Sequence, residues 1–563
     1  MDGYLQQVFN DPTVTLHGER QLIRRELEKH RAEAGGQLAS APKQADGAAG
    51  DESKNGNEDV AAAVAGDPAA IAGAEAAEGH ASNGTASAPA VGRGRQADQL
   101  VVLAEPAELF RTPEGDVFGD LAVDGHRETW ALRSRGFRRW LTRRFFETHR
   151  SVPSIAALRE AVGVIEVKAL AGSPESRVPE RAVQARVAGL DGKLYLDLGD
   201  AAWRAVEIDE AGWRVVAAPP VRFRRPSLQR ALPVPEAGGS IDRLAALLNL
   251  RAEEDLVLVV AWALAALRDR GPCPVLVLTG EQGSGKSTCT AMLQALIDPT
   301  ALPPRGLPLE DRELTAAGRE GHLLAFDNLS DMPPWCADAL CRRVGGAGIA
   351  RPVILNGIAD LMGRADLADR ALVINLRAIA TRERRSEVDL WSAFEAERPR
   401  LLGVLLTAVA VGLQRVGTIR SPALPRLADF VLWASACQTA LWPAGTFRAA
   451  YDANRHGTVV DAIESDPLAN ILISLTEEHE TWQGTASDLM DELKPSFVGK
   501  RLKRAWPANA RVLAGRVRQL ASLLRPFGVE VSFGRHPATR ARLIRLSVDP
   551  PARPAAMPQE VRI

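Results

Sequence analysis

Nine residues from Gly280 to Thr288, GEQGSGKST, place three glycines, a lysine and two terminal hydroxyls at the spacing G-x-x-x-x-G-K-[ST]. Glycines at 280, 283 and 285 let a backbone curl until several N–H groups point inward at phosphate oxygens. A helix starting at Lys286 adds the positive end of its dipole to that cradle. The Lys286 ammonium suits β and γ phosphates, and the Ser287 hydroxyl suits Mg²⁺, so the expected ligand is Mg-ATP. Glu281, Gln282, Ser284 and Thr288 complete the expected loop. A second acid must share the metal, and Asp327 in HLLAFDN stands at the end of an apolar run, where ligands collect in open α/β sheets. The competing reading of Asp327 is a turn cap. Asn328 follows it, and an amide can orient water but cannot take its proton. Glu281 or Asp331 is left to compensate. Asn356 in RPVILNG reads either as a γ-phosphate sensor or as the close of a turn before Gly357. Arg370 in RADLADRALVINL reads either as a group reaching a neighbouring subunit's γ phosphate or as a local partner of Asp366 or Asp369, with Arg364 a competing candidate.

The elements that must hold these groups are legible as short apolar runs. PVLVLTG (274–280), HLLAFDN (322–328), RPVILNG (351–357) and RALVINL (370–376) are apolar on both faces, as a buried parallel sheet requires. TCTAMLQALI reads as the helix after the loop, and PPWCADALCRRV as a crossover helix. Upstream, KLYLDL (193–198), AWRAVEI (202–208) and WRVV (213–216) alternate like antiparallel strands separated by Asp-Gly and Ala-Gly turns, and SRGFRRWLTRRFFETH reads as a helix. The prolines at 219, 220, 226, 233 and 235 mark a connector.

Charge is unevenly spread. The 563 residues carry 69 Lys and Arg against 70 Asp and Glu, a net of −1 that excludes a wholly basic nucleic-acid coat or an acidic tail protein. Yet residues 1–98 hold 9 basic and 15 acidic groups, whereas residues 482–548 hold 13 basic and 4 acidic. That last segment orders as helix, basic loop (KRLKRAWP), helix, then two strands around GRHPATRA, the pattern of a winged helix. Arg511, Arg516 and Arg518 belong to its recognition-helix candidate and Arg535, Arg540 and Arg542 to the wing, with DNA the expected partner through phosphate contacts. A protein-binding winged helix with a solvated basic face is the other reading. A second cluster, Arg133, Arg135, Arg138, Arg139, Arg143 and Arg144, interleaves with Phe137, Trp140, Phe145 and Phe146. It reads first as an amphipathic helix with aromatics inward, and more sharply as a nucleic-acid face.

Residues 36–98 are rich in Ala and Gly, lack aromatics and have no Leu between Leu38 and Leu100, so a disordered linker is expected there. The five cysteines fit buried thiols better than a disulfide framework or a zinc site. No apolar run reaches the ~18 residues of a membrane span and no signal peptide is visible, so a cytoplasmic chain is expected.

The order GEQGSGKST, AFDN, VILNG and DLADRA resembles bacterial phage- and plasmid-type ATP-binding proteins, similar to superfamily 3 helicases and primase-associated AAA+ ATPases. Long strings carry the likeness from about Ala104 to Leu546, among them LFRTPEGDVFGDLAVDGHRETWALRSRGFRRWL and PRLADFVLWASACQTALWPAGTF. The resemblance implies an AAA+-like core, Asn356 as sensor, Arg370 as arginine finger, and a ring-forming homo-oligomer acting on DNA in mobile-element replication. The segment CRRVGGAGIARPVILNG is shorter than in such relatives, which bears on translocation more than on nucleotide binding. The expected architecture is multidomain. It has a helical appendage at 1–35, a linker at 36–98, an α+β domain at 100–235 and an α/β P-loop NTPase core at 240–380. A helical extension at 387–460, a winged helix at 465–548 and a disordered tail at 549–563 follow. The expected function is a DNA-associated, helicase-like ATPase; the alternative is an ATP-gated DNA-binding or assembly protein with little turnover.

Overall fold

The computed structural model describes residues 93–171, 178–329, 332–344, 351–357, 365–420, 424–494 and 506–548. The expected appendage, most of the linker and the C-terminal tail lie outside these residues. The last residues of the expected linker are helical instead: a helix runs from Arg93 to Leu103 because Ala97, Leu100 and Ala104 have a core to enter. That core is closed by the antiparallel strands β1 (Glu108–Arg111), β2 (Val117–Val123) and β3 (His126–Ala131) and by helices Arg135–His149 and Ile155–Ala171. Ser134 caps the first of these helices by accepting from the Phe137 N–H, and Phe137, Trp140, Leu141 and Phe145 form its buried face. Phe146 departs from the aromatics-inward expectation and is 47% exposed.

Two-residue strands β4 (Val183–Gln184) and β9 (Arg222–Phe223) flank a meander of β5 (Val187–Leu190), β6 (Lys193–Asp197), β7 (Ala205–Asp209) and β8 (Gly212–Val216). Asp191 and Gly192, at φ 51° and 78°, make the tight turn that an Asp-Gly pair favours. Val187, Leu194, Leu196, Val206, Ile208 and Leu232 do not pack on the first core. They enter the core of the parallel sheet that follows. Residues 100–235 therefore divide their apolar packing between these two cores and a small cluster of Ala188, Tyr195, Ala205 and Phe223, a division invisible in strand periodicity.

The central sheet has the order β11-β12-β10-β13, all parallel, from β10 (Val275–Thr279), β11 (Leu324–Leu329), β12 (Val353–Gly357) and β13 (Ala371–Asn375). Every residue of β10 and β12 is buried, which explains their apolar runs Val275–Leu278 and Val353–Leu355. Helix Glu253–Ala266 is buried on all sides from Leu256 onward. Its Trp262 Nε1 donates to the Pro274 carbonyl, 3.0 Å away. Helices Glu387–Arg415, Ala428–Cys437 and Thr446–Ser465 cover this core.

A further core belongs to the C-terminal segment. Helices Pro467–His479, Ala486–Leu493 and Ala510–Leu524 pack on strands β14 (Thr481–Gly484), β15 (Val529–Arg535) and β16 (Arg542–Val548), ordered β14-β16-β15. The short strand β14 has no signal in the sequence: TWQG is neither long nor alternating, and it forms because β16 offers it a free edge. Residues 500–505 of the basic loop lie outside the described residues. Among the described residues no helix is long and apolar enough to cross a membrane.

Candidate functional site

Between β10 and helix Lys286–Ile297 the chain turns at Gly280, Gly283 and Gly285, whose φ values are 142°, 82° and 84°. A side chain at Gly280 would sit 2.7 Å from the Leu376 carbonyl oxygen and 2.8 Å from Ser284 Oγ, so glycine is required by space as well as by φ. The Lys286 Nζ lies back over this loop and donates to the carbonyl oxygens of Gly280 and Glu281, both at 2.8 Å. Ser284 is fully buried, and its Oγ has no hydrogen-bond partner. An orphaned hydroxyl, a glycine-shaped hollow and an ammonium at one helix N-terminus fit a polyphosphate.

The Ser287 Oγ donates to Asp327 Oδ1 at 3.0 Å, joining the loop helix to β11. These two side chains fit Mg²⁺, as a hydroxyl and a carboxylate from adjacent elements. The Asp327 carboxylate thus meets the first turn of the loop helix. Asn328 follows in the left-handed region, at φ 57°, where the β11–β12 register shifts between Phe326 and Leu329. Asn tolerates that conformation better than Glu does, which gives a backbone reason for an amide at this position.

Asn356, only 1% exposed, is a brace. Its Nδ2 donates to Thr290 Oγ1 at 2.8 Å, and its Oδ1 accepts the Asn328 N–H at 3.0 Å. Thr290 in turn donates to the Lys286 carbonyl at 3.0 Å. The amide ties the loop helix to the bulge beside Asp327. Arg370 sits at the opposite end of the sheet: its carbonyl accepts from Val275 N, at the start of β10, whereas the loop follows Thr279. Four residue steps of strand place it about 13 Å along the sheet from the loop of its own chain. Asp369, a proposed local partner, pairs with Arg455 and with Arg426. Arg364 and Asp331 lie outside the described residues. Glu281, Gln282 and Gly283 are exposed.

Three neighbours of the loop escaped the sequence reading. Asn249 donates to the Ser284 carbonyl at 2.9 Å and accepts from Arg377 Nε at 2.8 Å. Arg384 Nη2 lies 3.7 Å from where a Gly283 Cβ would stand. None has a motif spacing; they arrive from segments before and after the sheet.

Of the C-terminal candidates, Arg511, Arg518, Arg535, Arg540 and Arg542 are exposed. Arg518 lies over the Phe533 ring at 4.4 Å. Arg516 is different. It donates to Asp466 Oδ2 at 2.7 Å, while Oδ1 of the same carboxylate caps helix Pro467–His479. Its charge is spent inside the module. Cys273, Cys289, Cys336 and Cys437 are free and buried, and burial pushes the first two thiols up to about 12.

No curated protein matches the chain. Among solved structures, "SCCmec type IV Cch - active helicase" aligns at 12% identity and a TM-score of 0.42, covering 79% of this chain and 93% of that one. The apo A form of the NrS-1 C-terminal region aligns at 11% identity and a TM-score of 0.32, covering 80% and 98%. Residues 468–559 match the family model of the AICE RepA C-terminal domain. Residues 241–456, which contain the loop, Asp327, Asn356 and Arg370, match the family model described as Actinomycete integrative conjugative element replication protein, so the chain is similar over these two stretches to a replication protein of a mobile element.

Proposed function

We propose that the chain is a DNA-associated ATPase of mobile-element replication, helicase-like and related to AAA+ proteins. The Ser287–Asp327 contact carries this reading, because it brings a loop hydroxyl and a strand carboxylate together beside Lys286. Lys286 neutralises the β and γ phosphates, and the loop N–H groups of Gly280–Gly285 hold their oxygens. Ser287 and Asp327 would hold Mg²⁺, which supplies charge neutralisation on the phosphates when bound. Asn328 orients water, and Asn356 fixes the backbone that presents Asn328. Arg384 belongs to the same chain and flanks the loop. In this reading Arg370 reaches the γ phosphate of another copy, which goes with a homo-oligomer and with a ring as the arrangement that closes. The helix–strand–helix–helix–hairpin order of residues 467–548 supports a winged helix, with Arg511 and Arg518 on its helix and Arg535, Arg540 and Arg542 on its wing as phosphate contacts.

The alternative, an ATP-gated DNA-binding protein with little turnover, draws on Asn328, which cannot act as a base. Phosphate release with and without single- and double-stranded DNA separates the two. The first reading expects DNA-stimulated turnover that Lys286→Ala reduces at least a hundredfold; Lys286→Ala turning over like the parent chain would sink it. Nucleotide binding without turnover selects the alternative.

A further inference from the structure

A cavity of about 1110 Å³ opens between helix Arg135–His149 and the edge of the parallel sheet, away from the phosphate loop. Seven arginines line it: Arg135, Arg139 and Arg143 from the helix, Arg224 and Arg225 from the connector, Arg305 from the segment bridged to Phe326 of β11, and Arg319 from helix Asp311–Glu320; Arg225 is paired with Asp197. Its two lining acids are already engaged. Glu128 accepts from Trp130 Nε1, and Asp298 accepts from Arg186 Nε at 2.9 Å. Arg143 pairs with Glu147. No side-chain ion pair within the described residues involves Arg135, Arg139, Arg305 or Arg319, and the buried Arg224 Nε has no hydrogen-bond partner. Burial pulls the Arg224 guanidinium below its ordinary range, and the like charge of Arg319 adds to this, against the opposing pull of Asp116 and Glu114.

The helix continues the feature outward. Arg135, Arg138, Arg139, Thr142 and Arg143 also line a shallower hollow, which ends at Phe146. Positions 135, 139, 142, 143 and 146 follow helical spacing on the face opposite the buried Phe137, Leu141 and Phe145. An arginine-lined groove leading to an exposed aromatic ring is the chemistry of a single nucleic-acid strand: guanidinium groups track phosphates while a base stacks on the ring. A duplex keeps its bases paired inside and offers nothing for Phe146 to stack on.

From this we infer that the cleft between helix Arg135–His149 and the opposite wall that carries Arg305 and Arg319 is a binding groove for single-stranded nucleic acid, with Phe146 as a stacking platform. The groove rests on the reading of the chain as DNA-acting, but not on the C-terminal module. The test is anisotropy of the full chain with a labelled dT20 oligonucleotide and, in parallel, a labelled duplex. Arg135→Glu/Arg139→Glu should weaken dT20 binding at least tenfold and lower its salt slope by about 1.4, as two lost single-strand phosphate contacts require. Arg319→Gln, from the opposite wall, and Phe146→Ala should each weaken dT20 binding several-fold, with duplex binding and the melting temperature unchanged. Unchanged dT20 affinity in the helix variant overturns the inference, as does an equal loss of dT20 and duplex. An effect from the helix variant with none from Arg319→Gln overturns the cleft. Arg535→Ala/Arg540→Ala/Arg542→Ala addresses the wing separately: loss of duplex binding there, with dT20 retained, upholds both sites.

Discussion

At the phosphate loop, polar groups are held by one another: Lys286 by two carbonyls, Asn356 by Thr290 and Asn328, Ser287 by Asp327. On the C-terminal hairpin, Arg535, Arg540 and Arg542 stand in solvent with no side-chain ion pair among the described residues. The contrast is the one that the proposed tasks require. Chemistry on a phosphate depends on donors fixed before the ligand arrives, since mobile ones would lose their advantage in reorganising. Binding a polyanion draws on counterion release and long-range attraction, which tolerate mobile side chains. Substitutions in the first region should therefore register in stability, and in the second in salt dependence.

The largest stability effect comes from acid acting on the braced region. His322 is buried; its Nε2 meets the Ala266 carbonyl at 2.6 Å, and Arg351 Nη1 stands 3.4 Å from its Nδ1. Burial lowers its pKa to about 4, with Arg351 adding to the effect. The unfolded chain takes up this proton near pH 6.5 and the folded chain only near 4, so stability falls as pH drops through that window, by about 2 kcal/mol between pH 7 and 5. Urea midpoints at the two pH values read it, and His322→Gln should flatten the dependence. Asn356→Ala should cost about 2 kcal/mol by leaving buried partners unpaired, with turnover falling alongside the urea midpoint. Loss of turnover at unchanged stability would restore a pure sensor role.

Weaker effects should come from the hairpin. Arg535→Ala/Arg540→Ala/Arg542→Ala should change stability by less than about 0.5 kcal/mol yet weaken duplex binding about tenfold, with a salt slope lower by about 2.7. A shifted melting temperature would contradict the contrast. The smallest effect on DNA binding belongs to Arg516→Ala, the residue in that module that behaves like the loop. Losing its Asp466 pair should cost about 1 kcal/mol in the urea midpoint and leave the salt slope of DNA binding unaltered.

Sequence spacing revealed the loop, Asp327 and the four parallel strands because each depends on local rules: glycines where φ is positive, and apolar residues where both faces of a strand are buried. It could not decide what Asn356 does, since a brace and a sensor both need a buried amide at a strand end. It placed Arg516 with the DNA contacts and gave no sign of the Asp466 pair, because an ion pair to a residue fifty positions away leaves no trace in charge patterning. Asn249 and Arg384 were missed for the same reason. The core that joins β5–β8 to the parallel sheet also stayed hidden, because alternation shows that a strand has a buried face but not which partner buries it.

That shared core changes the mechanical meaning of the proline-rich connector. Leu232 is buried and its N–H bonds the Leu198 carbonyl, the Glu236 N–H bonds the Pro399 carbonyl, and Gly403 has no room for a side chain against the Glu236 backbone. The connector is a tie rod rather than a hinge: β5–β8 and the parallel sheet travel as one stiff plate. A fragment begun at residue 240 would lose the apolar layer of Val187, Leu194, Leu196, Val206, Ile208 and Leu232 and leave that face of the parallel sheet's core bare.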